Sequence, residues 1–109
     1  MAELDDERAA EVVINTGVDP TGVAIVTVSG DLDISNAATL EQAVASIAAE
    51  RPERLIFDLS GLRFMDSAGI AVLLDAAGKV KAVQLRDPST AVRRVVELTG
   101  LTDVLSIES

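Results

Sequence analysis

Residues 54–74, RLIFDLSGLRFMDSAGIAVLL, change their hydrophobic period once, and that change limits the fold more than anything else in the chain. Leu55, Ile56, Phe57 and Leu59 form a short apolar run with β-branched or aromatic residues at its centre, bounded by Ser60-Gly61, which reads as a buried strand. A sharp loop follows. Ala68, Ile70, Ala71, Val72, Leu73 and Leu74 then form an apolar helix that begins at Asp66-Ser67. A strand feeding a helix this directly belongs to an α/β sheet. It sets one serine and one aspartate at a strand end and at the positive end of a helix dipole, where open α/β sheets usually receive ligands and partners.

The segments on either side complete one small domain. Residues 11–16 carry Val12, Val13 and Ile14, enough for a first strand, and the turn formers of residues 17–22 reverse the chain. Residues 23–29 alternate as a second strand, so the two make a hairpin that Gly30-Asp31-Leu32-Asp33 closes. Ser35-Asn36 are good N-cap residues for a helix with Leu40, Val44 and Ile47 on one stripe, which Arg51-Pro52 ends. Past the focal stretch, Gly78 is expected to stop the second helix after about three turns. Residues 80–85 make another strand, and Asp87-Pro88-Ser89 starts a third helix with Pro88 in its first turn. The tail adds a short strand or a helical turn. The expected fold is α/β: a mixed sheet, hairpin first and parallel strands after, with helices packed against it. Residues 1–10 read as a charged lead-in and residues 11–109 as the single domain.

Composition removes several function classes. The 109 residues carry a formal net charge of −9, which argues against a nucleic-acid backbone or an anionic membrane as partner. Cysteine and histidine are absent, which removes thiolate chemistry, Ser-His-Asp triads and the commonest zinc ligand. No apolar run approaches the ~18 residues of a membrane span, and the acidic N-terminus is unlike a secretory leader. A cytoplasmic location is expected.

The polar residues at the junction have a structural and a functional reading. Ser67 or Asp66 can cap the helix. Ser67 as a hydrolytic nucleophile lacks a histidine base, and MDSAG does not match the Gly-x-Ser-x-Gly elbow. Accepting a phosphate asks less, because a kinase supplies the chemistry, and the added −1.5 to −2 charges would act on any partner packed there. Asp31 and Asp33 either line a solvated loop and cap the next helix, or join Asp66 in an acidic patch facing a partner. A standing Mg²⁺ site is disfavoured, because the acidic pair and lysine of a phosphoacceptor receiver are absent in that form. Asp58, inside the apolar strand, is expected to pin the turn at Ser60-Gly61-Leu62. Gly69 either permits the close approach of another backbone to the helix start or is merely tolerated.

The run FDLSGLRFMDSAGIAVLL resembles the STAS domain of bacterial anti-sigma factor antagonists. The upstream Gly30-Asp31-Leu32-Asp33 and the later DPSTAVRRVVELTGL resemble further elements of that family, in the same order. The resemblance implies a non-enzymatic partner switch. Ser67 would be phosphorylated by a cognate anti-sigma factor acting as a serine kinase, and a PP2C-type phosphatase would reset it. It also implies that Asp31, Asp33, Asp66, Ser67, Ala68 and Gly69 meet the partner. The chain would need no metal or cofactor of its own, ATP being bound by the kinase. The helix-to-strand connection LLDAAGKVKAVQL is shorter than is usual in the family. An alternative within the family is an interaction subunit of a stressosome-type or lipid-transport assembly.

Overall fold

A computed structural model describes residues 11–100, 102 and 104–108; the charged lead-in lies outside the described residues. The elements run β1 (Val12–Val18), β2 (Ala24–Leu32), α1 (Ala37–Ala48), β3 (Arg54–Met65), α2 (Ser67–Lys79), β4 (Ala82–Arg86), α3 (Thr90–Leu98) and β5 (Ser106–Glu108). The strands lie side by side in chain order; β1 is antiparallel to β2 and every later pair is parallel. This is the expected hairpin-plus-parallel sheet, with the tail resolved as a fifth strand.

The register explains the core. Val26, Phe57 and Leu85 align across three strands, as do Ala24, Leu55 and Val83, so one face of the sheet is continuously apolar. Leu40 and Val44 of α1, Ile70, Leu73 and Ala76 of α2, and Val92 and Val96 of α3 bury themselves in the same cluster. Each such side chain contributes on the order of 1.5–3 kcal/mol when fully buried. The other face carries the row Thr27, Asp58 and Arg86, where the guanidinium Nε of Arg86 sits 3.2 Å from Glu108 Oε1.

Two glycines expected to break the chain lie inside elements instead. Gly30 does not close the hairpin: its φ of +97° forms an irregularity through which β2 continues to Leu32. A side chain there would strike the Glu11 carbonyl, which accepts the Asp31 amide at 2.9 Å. Ser60-Gly61 is likewise not a loop but part of β3, whose ladder with β2 shifts register there and runs on to Met65. Gly78 does mark the end of α2, which stops one residue later, at Lys79, after 13 residues. Asn36 takes the N-cap position of α1 without a side-chain cap bond, and α1 ends at Ala48, ahead of Arg51, which has a φ of +54°. Ser89 caps α3, accepting from the Val92 amide at 3.2 Å. Pro88 therefore stands before the helix rather than in its first turn.

Candidate functional site

The site is built where β2 and β3 leave the sheet together. Leu32 pairs with Met65, both side chains are buried, and the Asp66 amide donates to the Leu32 carbonyl at 3.2 Å. Asp33 and Asp66 are thereby neighbours, each opening its own turn. Asp33 Oδ1 accepts from the Ser35 amide (2.9 Å) and the Ser35 hydroxyl (2.6 Å). Asp66 Oδ1 accepts from the Ala68 amide at 2.8 Å and caps α2. Asn36 clamps the β2 end, with Oδ1 accepting from the Asp33 amide and Nδ2 donating to the Asp31 carbonyl, both at 2.9 Å.

Ser67 is the first residue of α2 and is exposed. Asp66 does the capping, so the Ser67 hydroxyl makes no hydrogen bond among the described residues. The amides that follow are already used: Ala68 donates to Asp66 Oδ1, and Gly69 and Ile70 donate to the Asp66 carbonyl at 3.1 and 3.2 Å. Gly69 is buried, and a Cβ there would stand 2.5 Å from Met65 Cγ and 2.8 Å from Leu32 Cδ2. Its missing side chain lets α2 settle on the strand ends, which is what keeps Ser67 at the rim. Gly69 thus makes a close approach, to side chains.

Asp33, Asp66, Ser67, Ala68 and Gly69 therefore gather at one edge of the molecule. Asp31 stands one step back, inside β2 rather than in a frayed loop, because the β2–β3 ladder reaches past it and pairs it with Phe64. Its carboxylate lies 3.4 Å from Arg63 Nε, so part of the local negative charge is offset. Among the described residues, no three carboxylates come together as a metal would require. Asp58 holds Ser60, accepting from its amide at 3.0 Å and its hydroxyl at 2.8 Å, in a bulged stretch of β3 rather than in the expected turn.

Sequence reasoning passed over three residues here and gave a fourth, Asn36, only a capping role. Arg63 and Asn36 bind Asp31 and the turn beside it, while Ile34 and Phe64 expose 83% and 51% of their surface at the rim. An asparagine three residues after an aspartate is a readable turn signal; the exposure of an isoleucine is not readable. A cleft of about 790 Å³ lies at the opposite end of the parallel strands, lined in part by Arg51, Lys79 and Lys81, and includes none of these residues. Its cations complement the negative ends of α1 and α2. No helix among the described residues is long and apolar enough to cross a membrane.

Comparison with known proteins agrees with this architecture. The family model for the STAS domain matches residues 10–109. The chain is 33% identical over 98 residues to the anti-sigma-F factor antagonist RsfB of Mycobacterium tuberculosis, spanning 85% of this chain and 79% of that one. It is 30% identical over 94 residues to an anti-sigma F factor antagonist of Paenibacillus polymyxa, spanning 79% and 78%. Among solved structures, an anti-sigma factor antagonist from Mycobacterium paratuberculosis superposes with a TM-score of 0.83 at 31% identity, covering 90% of this chain and 86% of that one. Unphosphorylated SpoIIAA, at 18% identity, shares the fold with a TM-score of 0.74 and 89% coverage of each chain. With a matched profile along nearly its whole length, a mixed five-stranded sheet and a serine displayed where β3 turns into α2, the chain belongs to the STAS domain family.

Proposed function

We propose that this protein is an anti-sigma factor antagonist that binds a cognate anti-sigma factor acting as a serine kinase, and that phosphorylation of Ser67 ends the binding. The relatives named above support the first half of this reading. One observation carries the second: Ser67 is exposed at the head of α2 with its hydroxyl unengaged among the described residues. A phosphoryl group transferred there from ATP bound on the kinase would add about −1.5 to −2 charges. It would stand beside the Asp66 carboxylate, and the Ala68, Gly69 and Ile70 amides of the first turn are already occupied. The consequence falls on whatever protein packs against this rim, which must then bury an uncompensated dianion. A PP2C-type phosphatase would reverse the step by hydrolysis.

The test is to incubate the protein with candidate anti-sigma serine kinases and ATP and to map the phosphate by mass spectrometry. Phosphate is expected on Ser67 and not on Ser35 or Ser60. Ser67→Glu is expected to lose the anti-sigma factor while Ser67→Ala keeps it. Undiminished binding by Ser67→Glu would overturn the switch.

A further inference from the structure

Two apolar side chains at the site are left without a structural role. The chain has only two phenylalanines, and they are used in opposite ways: Phe57 is fully buried at the centre of β3, whereas Phe64 is 51% exposed near the end of the same strand. Ile34 is 83% exposed, directly after Asp33 in the turn between β2 and α1. Phe64 pairs with Asp31 across the β2–β3 ladder, and Leu32 pairs with Met65 in the last rung. The two side chains therefore stand on the two segments that leave the sheet side by side, with Asp33, Asp66 and Ser67 next to them. Neither is needed by the core, whose cluster includes neither.

We infer that Phe64 and Ile34 are the apolar anchors with which this protein holds its anti-sigma factor, an assignment that rests on the function proposed above. The surface they offer is two exposed apolar side chains beside carboxylates, Asp33 preceding Ile34 and Asp31 paired with Phe64 across the ladder. Its complement is a protein face with an apolar recess bordered by lysine or arginine. The acidic edge sets the approach and the choice of partner, because complementary charge mainly accelerates encounter. The anchors set the lifetime of the complex, because burying a large apolar side chain that was exposed is where an interface concentrates its affinity. Carboxylates at the same rim repel an anionic lipid surface, which favours a protein as the occupant. The arrangement also explains how a single phosphate acts. A dianion on Ser67 would have to be carried into contact together with the anchors, so the partner cannot seat the apolar pair without desolvating the charge.

The experiment measures association and dissociation rates of the full chain with the anti-sigma factor that phosphorylates Ser67, at two salt concentrations. Phe64→Ala and Ile34→Ala are each expected to dissociate roughly 10- to 100-fold faster, with association changed by no more than about 3-fold and its salt dependence retained. Phe64→Leu should keep most of the lifetime. Leu98→Ala serves as the control: Leu98 is 80% exposed at the far end of α3, and its loss should leave both rates unchanged. Melting curves check each fold, and Ile34→Ala, at so exposed a position, keeps the test alive if Phe64→Ala does not fold. Wild-type rates for both alanine variants, alongside loss of binding in Ser67→Glu, would overturn the anchors and leave the switch standing. Faster dissociation in the alanine variants with full binding by Ser67→Glu would support the anchors and overturn the switch. Failure of the unmodified protein to bind any anti-sigma factor would overturn both.

Discussion

The bulge within β3 and the turn that ends it use an aspartate in the same way and present a serine differently. In Asp58-Leu59-Ser60 the carboxylate accepts from the amide two residues on and from that residue's hydroxyl, at 3.0 and 2.8 Å. The hairpin turn at Asp19 repeats this with Thr21 (2.9 and 2.6 Å), and the turn at Asp33 repeats it with Ser35 (2.9 and 2.6 Å). At Asp66 the amide bond is kept, but the residue two positions on is Ala68 and the serine has moved one place forward, to 67. The hydroxyl then falls outside the carboxylate's reach. A shift of one position separates a serine that stabilises its own backbone from an exposed serine whose hydroxyl is left unengaged among the described residues.

The comparison breaks most clearly if the hydroxyl is moved back. The double substitution Ser67→Ala with Ala68→Ser keeps a serine beside Asp66 but puts it in the tied position, so kinase-dependent phosphate incorporation should fall by roughly 10²-fold or more through misplacement alone. Radiolabel uptake against the wild type measures it; equal uptake would mean that exposure, not hydroxyl freedom, decides the acceptor. A smaller effect is expected from Asp66→Ala, which removes the helix cap and should cost about 0.5–2 kcal/mol in a chemical denaturation curve. A larger loss would show that this aspartate also holds the strand ends together. The smallest effect belongs to the remote turn. The Thr21 hydroxyl bond, followed by the Val23 amide bond, holds the Asp19 carboxyl below its ordinary pKa. That contribution is fully present above the unfolded value near 3.9 and is lost as pH falls through the lower folded value. The melting temperatures of wild type and Asp19→Asn should therefore differ slightly at neutral pH and converge under acid.

Much of this was legible in the sequence, for reasons that differ by residue. The switch from strand to helix at residues 54–74, the hairpin and the cap at Asp66 are local signals, and the structure contains each of them. What was not legible involves glycines. Gly30 and Gly61 look like chain breakers in isolation, yet both sit in irregular stretches of paired strand. Ladder partners from distant segments supplied the bonds that a turn would otherwise have supplied. The gathering of Asp33 with Asp66 required the parallel register of Leu32 with Met65, which no spacing reveals. Phe64 and Ile34 were read past because apolar identity says nothing about exposure.

The bond from the Asp66 amide to the Leu32 carbonyl joins segments from opposite sides of the α1 crossover. Until that crossover has closed, there is no rim, no seated α2 and no presented hydroxyl. A nascent or partly unfolded copy therefore offers a kinase only an ordinary serine in a flexible chain. Under the proposed switch, acceptance of a phosphate on Ser67 would therefore report a completed fold as well as an encounter with the kinase.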